Sequence, residues 1–388
     1  MTCYSHSRIS TFEQCKYKYK LQYIDRIKVE TPTTIEAFMG DLVHRTLEKL
    51  YADLKFQKLN SKEDLLKYFN EVWKKEFIEE ILVVKEEYSA ENYRFMGEKF
   101  ISDYYDTYQP FNHMTILGLE TQDRMELSDG NQYHVRIDKL GCIGDTYYVC
   151  DYKTNSRMKN QESADADRQL AMYSIWVKDK FKDAKKVILL WNMLAFNKEV
   201  TSERTEEQLN KLHQATVSVI KEIEDCKDFK PNITALCDWC VYKKMCPSFK
   251  HEAELEEKTP EEFKDDDGVK LVDDYSELDY KEKEIKKQKE EIKQKLIGFS
   301  VQKEINVVFG SNKKVSVKEY EKVVYPEDKE EFVKLLKEKG VYDTVSMISY
   351  PKLNSMILKE EVDKEVLDKV EKDKDYRISV SKKRKIED

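Results

Sequence analysis

The chain changes rhythm between residues 115 and 154, and that change decides its fold class. Before it, Val43, Leu47, Leu50 and Leu54 form one apolar stripe at helical spacing, and residues 36–108 read as helix in two or three pieces. Then TILGLETQDRMEL (115–127) alternates weakly and YHVRIDKLG (133–141) alternates again. Between them lies Asp129-Gly130, a dipeptide suited to a two-residue hairpin. TYYVCDYKT (146–154) is aromatic and β-branched. Three antiparallel strands are expected. A helix at about 163–182 follows, then a strand at 185–196 whose solid apolar run suits a buried position, then a helix at about 204–227. Only 10 Gly and 7 Pro occur in 388 residues, which favours long helices over an all-β design. The class is α/β.

The two ends read differently. Ser10-Thr-Phe-Glu13 has the form of a capping box. The helix it would open carries Cys15 and interleaves Lys16, Lys18 and Lys20 with Tyr17, Tyr19 and Tyr23. After Pro247 the composition turns polar. Residues 1–250 read as one domain, 251–276 as a linker containing DDDG, and 277–388 as an appended α+β module. In that module we expect a very polar helix at 277–297 whose one regular stripe is Leu278, Ile285, Ile292 and Phe299. A hairpin at 304–320, helices at 327–339 and 358–372, and the basic run Lys382-Lys383-Arg384-Lys385 complete it. The narrow stripe calls for a partner surface, in the same chain or another protein. There is no run of about 18 apolar residues and no apolar segment at the N-terminus, which predicts a cytoplasmic protein without a membrane span. No G-x-x-x-x-G-K-[ST] occurs, so no nucleotide motor is expected in this chain. The net charge of −8 argues weakly against nucleic acid as a partner, but a local patch is what binds.

Asp151 and Lys153 are two apart on an expected strand, so both leave one face. Asp138 lies on the preceding strand, and the turn at 142–145 brings it close. Two carboxylates and a lysine on one face suit Mg²⁺ or Mn²⁺ and a phosphate. His44 sits beside the apolar stripe rather than on it. Gln169 and Tyr173, four apart, share a helix face. Three of the eight cysteines form Cys237-x2-Cys240-x5-Cys246-Pro. In a reducing compartment such a triad points to metal and leaves a fourth place open to Cys15, Cys226 or Cys3. Lys16, Lys18, Lys20 and Tyr19 offer charge and stacking faces for DNA.

The ordered set SHSRISTFEQC, GDLVHRTLE, RIDKLG, VCDYKTN, RQLAMY and C-x2-C-x5-C-P strongly resembles the RecB-like branch of the PD-(D/E)XK nucleases. Within it, the chain resembles in particular the iron–sulfur exonucleases akin to the CRISPR-associated RecB-like nuclease and the AddB nuclease domain. The resemblance covers about residues 1–250. It implies a restriction-endonuclease-like core with an N-terminal helical insertion. It implies metal ligation by His44, Asp138, Asp151 and the Tyr152 carbonyl, with Lys153 catalytic and Gln169 and Tyr173 facing the site. It also implies a [4Fe–4S] cluster on Cys15, Cys237, Cys240 and Cys246, stapling the domain's ends. The activity implied is Mg²⁺- or Mn²⁺-dependent exonucleolytic cleavage of single-stranded DNA or duplex ends, in recombination, repair, phage replication or CRISPR adaptation. The alternative is a structural DNA-binding or scaffold subunit of a larger complex. The name-giving Pro-Asp is absent, and the second acid is Asp151 rather than Glu.

Overall fold

A six-stranded sheet carries the first of the two units into which the chain divides, Met1–Glu256 and Glu257–Asp388. The computed structural model describes every residue except 1, 30, 86, 320–325, 360 and 372–388. The first unit opens with β1 (Cys3–Tyr4), α1 (His6–Gln14), α2 (Lys16–Tyr19) and a π-helical turn at Lys20–Ile24. Three longer helices follow: α3 (Ile35–Lys55), α4 (Lys62–Glu76) and α5 (Ala90–Tyr108). Next come β2 (Thr115–Glu126), β3 (Gln132–Ile143), β4 (Thr146–Lys153), α6 (Gln161–Asp165) and α7 (Gln169–Lys180). Then β5 (Lys186–Met193), β6 (Lys198–Glu203), α8 (Glu206–Asp225) and, after short 3-10 turns, α9 (Lys250–Glu256) complete the unit.

Strand β3 is antiparallel to β2 and to β4. The crossover through α6 and α7 makes β5 parallel to β4, and β6 closes the edge antiparallel to β5. Strand β1 runs parallel to the start of β3. Two apolar cores result. One joins the sheet to α1, α7 and α8 through residues such as Val149, Leu189, Leu170 and Ile220. The other packs α3, α4 and α5 onto Tyr152 and Leu194. Each long helix of that second core has a polar cap at its start: Thr34, Ser61 and Ser89 accept backbone N–H groups one turn on.

The structure corrects several expectations. The first helix begins earlier than the Ser10 box suggests: Ser5 is its cap, with Oγ accepting the Arg8 N–H at 3.1 Å. Glu13 instead takes Arg168, at 2.8 Å from Nη1. Strand β6 was not anticipated, because KEVTSE is short and charged. The segment read as a linker, 251–276, is largely helical. It holds most of α9, then α10 (Pro260–Asp265), capped by a Thr259–Glu262 box, and the start of α11 (Asp267–Gln302), capped by Asp266. Taken by itself, the second unit continues with β7 (Val307–Phe309), β8 (Lys314–Ser316), α12 (Lys329–Glu338), α13 (Tyr342–Val345), α14 (Tyr350–Leu358) and α15 (Lys364–Leu367). The single helix expected at 358–372 is thus replaced by the end of α14 and the short α15, and 372 lies outside the described residues. The run Lys382-Lys383-Arg384-Lys385 lies outside them too. Leu278, Ile285, Ile292 and Phe299 are all exposed along α11. Among the described residues, no helix is long and apolar enough to cross a membrane.

Helix α5 meets α4 at Gly97. A Cβ there would lie 2.5 Å from Phe69 Cζ and 3.3 Å from Met39 Cγ. Phe69 is fully buried, so its ring has little room to retreat. Gly97→Ala should therefore lower stability by about 1–3 kcal/mol through overpacking, despite alanine's better helix propensity. Scanning calorimetry checks this. A raised melting temperature would show that the ring yields freely.

Candidate metal centre

Three backbone registers converge on one spot. In the β3–β4 ladder Lys139 pairs with Cys150, so Asp138 and Asp151 come abreast just beyond it. In the β2–β3 ladder the pairs Leu119–Lys139 and Thr121–Ile137 bracket Glu120 and Asp138, which therefore face each other. A bulge between Ile116 and Gly118 sets that register. Glu120 itself takes φ 40°, a left-handed backbone rare for a glutamate inside a strand. Helix α3 buries Val43 and Leu47 and so turns His44 toward the sheet. His44 Nδ1 lies 3.4 Å from Asp138 Oδ2, and Nε2 lies 3.0 Å from the Tyr152 carbonyl oxygen. His44, Glu120 and Asp138 each present a ligand atom within 4.8 Å of the others.

The imidazole arrangement is chemically telling. A carbonyl oxygen can only accept, so Nε2 carries the hydrogen in that contact. In the neutral ring Nδ1 is then a lone-pair nitrogen facing a carboxylate oxygen. That contact needs a cation between the two groups, either a proton or a metal ion. A metal-ligating histidine whose other nitrogen donates to a carbonyl is a common pattern. Histidine and two carboxylates are donors that fit a divalent cation.

The charges around this spot are managed individually. Burial pushes the Asp138 carboxyl up to about 6; His44 and the Tyr152 N–H oppose that rise, and Asp151 and Glu120 add to it. The Tyr152 N–H donates to Asp138 Oδ2 at 2.9 Å. Glu120 Oε2 accepts from Arg136 Nε at 3.1 Å and Nη2 at 3.0 Å. Lys153 Nζ lies 2.7 Å from Asp151 Oδ2. Burial works against the Lys153 charge, but the Asp151 carboxylate outweighs it and holds the lysine above its usual pKa.

Behind the site the Tyr152 side chain enters a cage around Lys139, which is 1% exposed. Lys139 Nζ donates to Tyr104 Oη at 2.8 Å and approaches Tyr51 Oη at 3.4 Å. The ring centroids of Tyr51, Tyr104, Tyr108 and Tyr152 lie 4.6, 5.5, 5.7 and 5.7 Å from that nitrogen. Tyr104 Oη and Tyr152 Oη are 3.3 Å apart, linking cage to site.

Of the residues expected at the site, His44, Asp138, Asp151, Lys153 and Tyr152 come together. The group whose ligand atoms converge within 4.8 Å, and which could hold a cation, contains Glu120 and not Asp151. Asp151 instead holds Lys153, and the Tyr152 carbonyl is occupied by His44. Gln169 Nε2 donates to Tyr173 Oη at 3.1 Å. Burial, with smaller contributions from Asp151 and Asp138, raises the Tyr173 hydroxyl's pKa. Glu120 and Arg136 were missed by the sequence reading. Their signal was position, directly across from and two residues before Asp138, but the bulge hid it.

Two expectations fail. Tyr19 is 1% exposed, its hydroxyl takes Arg8 Nε at 3.0 Å, and it has no open face for a base. Of its neighbours, Lys16 pairs with Glu222 at 2.7 Å and Lys20 with Asp25 at 3.6 Å, and Lys18 is half-buried. The [4Fe–4S] cluster is also overturned. Cys15, Cys237, Cys240 and Cys246 border one small cavity of about 20 Å³. Among the described residues, though, the His44, Glu120 and Asp138 group alone has ligand atoms within 4.8 Å of one another; no cysteine group does, and all eight cysteines are free thiols. The ends of the unit are joined by hydrogen bonds instead. Asn232 Nδ2 donates to the Gln14 carbonyl at 3.0 Å, Tyr17 Oη to Met245 O at 3.2 Å, and Tyr242 Oη to Ile27 O at 3.0 Å.

Among solved structures, one titled "Crystal structure of SSO0001" aligns with 60% of this chain and 94% of its own, at 16% identity and a TM-score of 0.27. No curated protein matches. The family profile described as "PD-(D/E)XK nuclease superfamily" matches residues 4–247, which contain strands β2 to β6 and every residue of the centre. The chain belongs to the PD-(D/E)XK nuclease superfamily.

Proposed function

We propose that this protein is a metal-dependent deoxyribonuclease of the RecB-like branch, acting as an exonuclease on single-stranded DNA or DNA ends. The observation that carries the catalytic reading is the His44, Glu120 and Asp138 convergence beside the Lys153–Asp151 pair. The exonucleolytic reading rests on the order of the sequence motifs. His44 Nδ1, Glu120 and Asp138 would hold the cation. Bound there, a divalent cation supplies Lewis-acid stabilisation of the charge that develops on a phosphoryl group. Lys153 stays protonated at neutral pH, so its role is to donate to a phosphoryl oxygen rather than to abstract a proton. Asp151 fixes the direction of that donor. Tyr173 Oη accepts from Gln169, which fixes the position of the hydroxyl.

Lys153→Met keeps the bulk of the stem and deletes the charge. We expect DNA cleavage in Mn²⁺ or Mg²⁺ to fall by about 10³-fold, roughly 4 kcal/mol of transition-state stabilisation. Gel analysis of end-labelled DNA measures it, and near-wild-type cleavage would remove Lys153 from the chemistry.

The cation should also stabilise the fold, since a ligand that binds only the native state raises its melting temperature. At about 100 times its Kd the gain is about 2.7 kcal/mol. Asp138→Asn and Glu120→Gln should each remove most of it. Protons compete with the cation for Asp138. With that carboxyl pushed to about 6, the metal-dependent rise should be full above this pH and fade as the pH falls through it. Without metal the sign reverses. The folded carboxyl holds its proton more tightly than the unfolded one, so its contribution weakens the fold as pH climbs from the ordinary carboxylate range through about 6. Differential scanning calorimetry across pH, with and without Mn²⁺, reads both. A metal response independent of pH and of both substitutions would place the cation elsewhere.

A further inference from the structure

We infer that the groove next to Lys153 is a subsite for one phosphodiester of a single nucleic-acid strand, gripped chiefly by Arg157; this rests on the nuclease reading above. The groove has a volume of about 360 Å³ and runs from Lys153 along the segment that follows β4. Its walls include Asn155, Arg157, Lys159, Asn160 and Ser163. Among the described residues it is lined by three cations and no carboxylate, in a chain with 76 acidic residues against 68 basic ones. Such a local sign reversal is a footprint for an anion.

The three cations are not equivalent. Lys153 is held by Asp151 at 2.7 Å and belongs to the catalytic centre. Lys159 is a strut: its ammonium lies 2.9 Å from Asp167 and 4.6 Å from the Trp191 ring centre, and its side chain is 20% exposed. Asn155 Nδ2 donates to the Arg157 carbonyl at 3.1 Å and braces the loop. Asn160 Oδ1 is occupied by the Ser163 N–H at 2.8 Å. Arg157 is exposed and has no ion-pair partner among the described residues. One planar donor fork is therefore left over, in a groove that shares Lys153 with the centre. A phosphodiester matches that fork.

The ligand class follows from size and lining. A volume of about 360 Å³ lies at the small end of ligand sites and matches one nucleotide unit. Among the described residues no aromatic side chain lines the groove, so the grip is on the backbone and independent of sequence. The strand that presents its scissile phosphate to Lys153 would place its neighbouring phosphate against Arg157.

The test uses the full chain in EDTA, where binding is read without cleavage. A fluorescent oligothymidylate and a duplex of the same length are titrated at several salt concentrations. For Arg157→Gln we expect the single-strand Kd to rise about tenfold. The slope of log K against log salt should shrink by about 0.7, the share of one phosphate on a single strand. Duplex affinity should change less, and Arg157→Lys should keep the slope. In Mn²⁺ the Gln variant should raise KM and leave kcat near wild type. An unchanged slope and Kd, or an equal loss on duplex, would overturn the subsite while leaving the nuclease reading intact. If the wild-type chain neither binds nor cuts DNA, the nuclease reading itself fails and the subsite with it.

Discussion

The backbone of Tyr152 is the joint on which the site depends. Its N–H donates to Asp138 Oδ2 and its carbonyl accepts from His44 Nε2. Both groups are available because the β3–β4 ladder stops at Lys139–Cys150, two residues earlier on β4. A ladder one rung longer would have drawn that strand edge into β3, and the acid and the histidine would have lost a shared anchor. On its other edge β4 continues to pair with β5 as far as Lys153–Met193, so the joint itself is held rigid. The side chain points the opposite way, into the helical core, where Tyr104 and Lys139 fix its position. One residue thus ties the sheet, helix α3 and the helical core to a single carboxylate oxygen.

Bringing Glu120, Asp138 and Asp151 together is costly, because like charges in a half-buried site repel. Each is compensated in its own way. Arg136 takes Glu120, Lys153 takes Asp151, and Asp138 has only a backbone N–H and an imidazole nitrogen that also seeks a cation. Asp138 is accordingly the acid whose pKa burial raises. The tyrosine cage is the counterpart on the far side of β3. Lys139 follows Asp138 directly in sequence, is fully buried, and is served by hydroxyls and ring faces. Ring faces and hydroxyls are a weaker answer to a buried ammonium than a carboxylate, so such a group is retained against a desolvation penalty.

What the sequence revealed and what it hid follow from one distinction, between local period and long-range register. Asp151 and Lys153 were legible because alternation alone puts them on one face. Asp138 was legible because a short turn joins its strand to theirs, and His44 because it sits off its helix's apolar stripe. Glu120 was not legible, since a bulge at Ile116–Gly118 shifts every partner beyond it. Tyr19 alternates with lysines and looks like a stacking face, but a T-shaped contact with Phe12 at 5.3 Å and the Arg8 bond take it inside. The cysteines illustrate the same limit. Spacing fixes how far apart thiols lie along the chain, not whether sulfurs converge. Here Asn232, Tyr17 and Tyr242 join the two ends where a cluster was expected.

Charge counting gives the centre and the groove different requirements. At the centre three carboxylates stand against Arg136 and Lys153, which leaves one negative charge with His44 set aside. A phosphodiester is repelled from such a site until a divalent cation reverses the local sign. The groove has the opposite balance, with Arg157 left over and no acid in its wall. On the proposed reading it would hold a neighbouring phosphate with or without metal. On the proposed nuclease reading, binding and cleavage respond to different variables: strand affinity to salt and Arg157, cleavage to a cation at His44, Glu120 and Asp138. Among the described residues the two places share Lys153, 2.7 Å from Asp151 and in the groove's wall, so on the proposed reading the strand's path and the chemistry would have that residue in common and otherwise be separable.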